Sequence, residues 1–199
     1  MSSGSLGHVS FPASFTILTV CTGNICRSPA VEFLLRAALG THLQVHSAGT
    51  HAVVGHRVDD QMMRLLPMDT SAFTARQVTV QMVKEADLVL ALTRSHRSQL
   101  VELHPPAVRT TFTLREFTRI ADVAQVTVGD GQDSVLAQVT AQAPRLRVVT
   151  RTAIPADDDI TDPYGLQDEV FEKCVADINT AVASIAHAIN KSPRPQETL

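Results

Sequence analysis

Cysteine is scarce in this chain: three occur among 199 residues, two of them within one short loop. That number cannot build a disulfide framework and points to a reducing, cytoplasmic setting. No apolar run approaches the length of a membrane span, so no membrane partner is expected. There is no basic block with interleaved aromatics, and the net charge is −3, which argues against a nucleic-acid partner. The eight histidines show no metal-ligand spacing, and His51 and His56 read as surface residues. No metal and no cofactor are therefore expected. Internal repeats and splitting linkers are also lacking. The stretch MSSGSLGHVSFPAS has neither the basic start nor the apolar core of a signal peptide. Residues 1–13 read as a flexible leader, 14–190 as one domain, and 191–199 as a flexible tail.

What is present is a core's worth of apolar residues, 44% of the chain, in an alternating pattern. Strands are predicted over Phe15–Val20, Gln44–Ser47 and Asp87–Leu92, and a fourth within Val108–Thr113. Helices are predicted over Ala30–Leu39, Val58–Leu66, Val78–Ala86, Ser95–Leu103 and Val170–Ile189. Buried runs alternating with helices imply an α/β fold with a four-stranded parallel sheet, helices on both faces, as a three-layer sandwich. Arg119 to Thr152, with GDGQDS and AQAPRLR, reads as a helical excursion without chemistry of its own.

The most informative stretch is VCTGNICRS, Val20 to Ser28. It follows an apolar strand and runs into a helix, so Cys21 stands at a strand's carboxyl end beside a helix N-terminus. Anions bind there, because the first helical N–H groups lack partners and the dipole is positive. The same field favours negative charge on the sulfur, the form in which cysteine is a nucleophile. Gly23 gives the backbone freedom to turn its N–H groups inward as an anion nest. Thr22, Ile25 and Cys26 contribute further amides to that cradle. Asn24 tolerates a left-handed conformation and can tie the loop together. Arg27 offers a planar fork that matches two phosphate oxygens. Ser28 can offer its hydroxyl to the Cys21 sulfur, and Pro29 suits the first helical position.

CTGNICRSP resembles the active-site loop of the low-molecular-weight protein tyrosine phosphatases. SAGT, Ser47 to Thr50, resembles that family's next strand and loop, and ITDPYG, Ile160 to Gly165, its Asp-Pro-aromatic loop. The resemblance covers about residues 14 to 190. It implies a hydrolase in which Cys21 attacks phosphorus, Arg27 and the loop amides hold the phosphoryl oxygens, and Asp162 is the general acid. Its substrate would be a protein carrying phosphotyrosine, and inorganic phosphate or sulfate could occupy the loop. Tyr164 would stack on the substrate ring, with Ser47 as support and Val53 and Val54 as pocket wall. Asp157, Asp158 and Asp159 read as a solvated loop. A second loop cysteine can form a protective disulfide with the nucleophile in this family; Cys26 is equally readable as a small residue packing beneath the loop. An aliphatic residue at the place of Ile25 goes with phosphotyrosine, a threonine with phosphoarginine.

The chain departs from the family where a histidine commonly braces the loop asparagine; Phe73 stands there, which predicts a thinner network around Asn24. Ala52, Val53 and Val54 replace a larger aromatic, which predicts a lower pocket wall. Competing readings are a phosphoarginine phosphatase and an arsenate reductase on the same fold, although no cysteine pair lies near Leu92 to Leu103. A non-catalytic phosphoprotein-binding module would not need Asp162, and a sugar-transport phosphocarrier has no place for Arg27 or Asp162.

Overall fold

A computed structural model describes residues 14–40, 43–126 and 132–190. The expected leader and tail lie outside these residues, as does the GDG part of the GDGQDS stretch. The sheet has four parallel strands, β1 (Thr16–Cys21), β2 (Gln44–Gly49), β3 (Leu88–Ala91) and β4 (Thr111–Thr113), in the order β2-β1-β3-β4. Seven helices are described: α1 (Arg27–Leu39), α2 (Asp60–Leu65), α3 (Val80–Glu85), α4 (Arg94–Leu103), α5 (Leu114–Val123), α6 (Gln132–Val149) and α7 (Asp168–Asn190).

The alternation of side chains along each strand divides the core in two. Ile17, Leu88, Leu90 and Phe112 face one layer with Leu35 of α1, Phe117 of α5 and Ile178 of α7. Leu18, Val20 and Val89 face the other with Val83 of α3 and Leu100 of α4. This is the expected three-layer sandwich. Its parallel strands put all carboxyl ends on one edge, where Cys21 pairs in register with Gly49 and Val20 with Ala91.

Three local expectations change. Helix α1 begins at Arg27 rather than Ala30, so Pro29 is its third residue rather than its first. It still sits in the first turn, where a missing N–H leaves nothing unpaired. Helix α5 occupies Leu114–Val123; no element is read from the sequence over 114–118, and Arg119–Val123 is read there as the start of the helical excursion. Its start is fixed by a capping box: Thr113 Oγ1 accepts from Glu116 N at 3.1 Å and Glu116 Oε2 accepts from Thr113 N at 3.2 Å. Of the excursion read over Arg119–Thr152, Arg119–Val123 belong to α5, and Gln132–Val149 form one long helix, α6, with Pro144 inside it.

Candidate active site

The phosphate-type loop is held by its carbonyls. Cys21 O accepts from Thr50 N at 2.9 Å, Thr22 O from His51 N at 3.0 Å, Gly23 O from Val53 N at 3.0 Å and Ile25 O from Asp59 N at 2.8 Å. Among the described residues, no amide from Thr22 to Arg27 donates to a protein acceptor. A loop whose carbonyls are engaged by an outer ring of amides, and whose own amides are not, is an anion nest.

The left-handed residue that turns the loop is Asn24, with φ 55°, not Gly23. Asn24 is fully buried and uses its amide completely. Nδ2 donates to Ser28 Oγ at 2.9 Å and Ser47 Oγ at 2.8 Å, and Oδ1 accepts from Arg76 N at 2.9 Å. The bracing network is therefore not thinned by Phe73. A backbone amide takes the place expected of a side chain, and Phe73 packs edge-on against Phe33 with ring centroids 6.0 Å apart. The Cys21 sulfur is buried at 3.0 Å from Ser28 Oγ, as the loop order suggested.

Gly49 was missed as a site residue. A Cβ there would lie 2.3 Å from Thr22 O and 3.0 Å from Asn24 N, so only glycine lets β2 come this close to the loop. The SAGT string carried that signal, but the reason became visible only in three dimensions.

Arg27 is buried, and its guanidinium reaches the other half of the site. Nη2 pairs with Asp162 Oδ2, 135 residues away, and Nη1 donates to Ile160 O at 3.3 Å. Nε is buried without a partner among the described residues, a donor that a phosphate oxygen would satisfy. The Asp162 side chain is 48% exposed, and its Oδ1 accepts from Tyr164 N at 3.3 Å. Val53 lies against Gly23 through its backbone bond; Val54 and Tyr164 are exposed at the rim, at 65% and 63%.

The aspartates before the Asp162 loop are not simply solvated. Asp159 Oδ1 accepts from Arg94 N at 2.7 Å and its Oδ2 pairs with Arg94 Nη2 at 3.0 Å. Asp158 Oδ1 pairs with Arg119 Nη2 at 2.5 Å. Burial pushes the Asp159 carboxyl up, but the hydrogen bonds and charge of Arg94 outweigh it and hold the group below the usual range.

His96 is the second missed residue. It is buried in the first turn of α4, with Nε2 2.8 Å from Thr22 Oγ1 and Nδ1 2.9 Å from Thr93 Oγ1. Burial, and then the charge of Arg27, lower its pKa to about 4, so the ring is neutral near pH 7. A neutral ring can receive the Thr22 hydroxyl while Thr22 receives Arg27 Nη2 at 3.4 Å. A lone histidine inside a predicted helix gave no signal of this.

Cys26 is buried at the N-cap of α1, and burial, aided by Asp59 and Cys21, pushes its thiol far above the usual range. Its packing in the main core favours the reading of a small apolar residue beneath the loop. All three cysteines are free.

A family model described as low molecular weight phosphotyrosine protein phosphatase matches residues 16–135. The probable low molecular weight protein-tyrosine-phosphatase EpsP of Ralstonia nicotianae is 33% identical over 143 residues, 67% of this chain and 97% of that protein. A protein-arginine-phosphatase of Geobacillus stearothermophilus is 34% identical over 110 residues, 54% of this chain and 74% of that one. The crystal structure of the tyrosine phosphatase Wzb from Escherichia coli K30 in complex with phosphate superposes with a TM-score of 0.63 at 26% identity, covering 86% of this chain and 96% of that one. On the family match and on the relative covered almost end to end, the chain belongs to the low molecular weight phosphotyrosine protein phosphatase family.

Proposed function

We propose that this protein hydrolyses phosphotyrosine in proteins, and aryl phosphates generally, through a cysteinyl-phosphate at Cys21. The observation that carries the reading is the convergence of Asp162 on Arg27 beside a cradle of unengaged amides with a buried sulfur at its base. As a thiolate, Cys21 attacks phosphorus. The S–P bond forms, the bond from phosphorus to the aryl oxygen breaks, and the departing electron pair is protonated by Asp162. The amides of Thr22 to Arg27 and the Arg27 fork hold the equatorial oxygens, where charge accumulates. Substrate phosphate competes with Asp162 for Arg27 and so releases the carboxyl toward the leaving oxygen. In the second step Asp162 as carboxylate takes a proton from water, the O–P bond forms and the S–P bond breaks. Ser28 Oγ, 3.0 Å from the sulfur, stabilises it as it leaves.

Phosphoarginine is the second reading, since one relative is named a protein-arginine-phosphatase. Ile25 in place of threonine favours phosphotyrosine. An arsenate reductase would need a relay thiol; Cys174 is buried in α7 and burial pushes its thiol up to about 12, which suits packing better than exchange. No helix among the described residues is long and apolar enough to cross a membrane. Three free thiols support a cytoplasmic setting.

The test is turnover of a phosphotyrosyl and a phosphoarginyl peptide by wild type and Cys21→Ser. Faster turnover of the phosphoarginyl peptide would reverse the substrate assignment, and activity that survives Cys21→Ser would remove the mechanism.

A further inference from the structure

The segment 119–152 read as an embellishment without chemistry, yet its contacts lead to the acid loop. Arg115 and Arg119 stand one turn apart on α5 and share a face. Arg119 donates from Nη2 to Asp158 Oδ1 at 2.5 Å and from Nε to Thr150 O at 2.8 Å. A single guanidinium thus joins the approach to the acid loop with the residue just past α6. Arg115 donates from Nη1 to Asp157 O at 3.2 Å and pairs through Nη2 with Asp177 of α7 at 2.8 Å.

Helix α6 is itself fastened. Arg147 reaches Glu116 Oε1 from Nε at 2.6 Å and Thr111 O from Nη2 at 2.8 Å, and lies over the Phe112 ring at 4.4 Å. Leu136, Val139 and Ala143 bury the helix's inner face. By contrast, the residues after Asp162 are held only in part: Pro163 is buried and its carbonyl accepts from Leu166 N at 2.9 Å. Tyr164 and Leu166 are exposed, and Gly165 turns the chain with φ 75°. The position of Asp162 therefore comes from Arg27, which pairs with its carboxylate, and from the anchors before it: Ile160, whose N–H donates to Leu92 O at 2.9 Å and whose carbonyl accepts from Arg27 Nη1 at 3.3 Å, and the Asp157–Asp159 stretch.

We propose that α6 and Arg119 form a brace that sets the position of Asp162, with Arg119 and Asp158 as positioning residues for proton transfer to the leaving group. The proposal rests on Asp162 being the general acid. A proton is delivered only within hydrogen-bond reach of the leaving oxygen, and small displacements lower the rate steeply. Loosening the brace therefore harms poor leaving groups, which need the proton, far more than good ones, which do not.

The experiment measures kcat/KM over a series of aryl phosphates, from dinitrophenyl to phenyl phosphate, for wild type, Asp162→Asn, Arg119→Gln and Asp158→Asn. Asp162→Asn should give a steep dependence on the leaving group. Arg119→Gln and Asp158→Asn should tilt the series the same way, losing about 10-fold on phenyl phosphate and no more than about 2-fold on the dinitrophenyl ester. A merely structural role would lower all rates evenly. An even loss, or none, in the two brace variants while Asp162→Asn is steep overturns the brace alone. A flat series for Asp162→Asn overturns the acid assignment, and the brace with it. Thermal midpoints accompany each variant; where Arg119→Gln does not fold, Asp158→Asn, which keeps the side-chain size, decides.

Discussion

The two halves of the site are built from different materials. The phosphate cradle is held by short backbone bonds and by a buried asparagine whose side-chain polar atoms are both engaged. The Asp162 loop is held by arginines, Arg27 from the cradle side and Arg94, Arg115 and Arg119 on its preceding residues, and Asp162 itself is half exposed. Buried, fully satisfied networks define one geometry, whereas partly exposed ion pairs are individually weak and respond to salt. The difference suits the proposed reaction: the cradle would match charge developing on the phosphoryl oxygens without reorganising, while Asp162 would give way as substrate enters and product leaves.

Substitutions should separate the halves by size and kind. Cys21→Ser removes the nucleophile and should lower kcat on p-nitrophenyl phosphate by about 10⁴-fold or more, with folding intact by circular dichroism. Asp162→Asn should lower kcat/KM on phenyl phosphate by about 10²–10⁴-fold. Rates within a factor of about two of wild type would shift the acid role to another group. Gly49→Ala tests the cradle alone. Its Cβ would fall 2.3 Å from Thr22 O, so the loop must move, at about 1–3 kcal/mol of stability by urea unfolding and with weaker phosphate inhibition. Unchanged stability and inhibition would mean that the close approach is not needed.

His96 sharpens the same contrast through pH. Its folded pKa of about 4 lies below the unfolded value of about 6.5, so in that interval the unfolded chain binds more protons. Its contribution is whole above pH 6.5 and falls as the pH drops toward 4, by about 3 kcal/mol. In His96→Gln, urea midpoints should vary less with pH across this window. A parallel pH profile would show that His96 is not the titrating group.

What could be read in the sequence follows the same division. The cradle's groups are consecutive, Cys21 to Ser28, so their order alone announced the chemistry. Asp162 was legible through its proline and aromatic neighbours. His96 was not, because its meaning depends on β3 and α4 carrying it to Thr22, 74 positions away. Thr113 and Glu116 held a capping-box signature for α5 that the strand before it obscured. Pro144 and the glycines before Gln132 broke the periodicity of α6, whose packing on α5 and α7 outweighs one lost helical donor. Asp158 and Asp159 looked like a solvated run because sequence shows a charge but not the arginine that faces it.

The smallest expected effect lies at Asp159. Its carboxylate accepts the first helical N–H of α4 and pairs with the Arg94 side chain, so it serves as anion at a helix N-terminus and as ion-pair partner together. The folded group titrates below its ordinary value, so its contribution is present above the unfolded pKa and is lost as the pH falls through the folded one. Partial exposure and screening limit it to about 1 kcal/mol. Asp159→Asn should lower stability by that amount at low salt, and the difference from wild type should shrink as ionic strength rises from about 0.01 M to about 1 M. Asn24→Ala, in the cradle, should be insensitive to salt, because what it loses is a set of buried, uncharged hydrogen bonds. Equal salt dependence of the two variants would erase the distinction between a cradle set by packing and a loop set by charge.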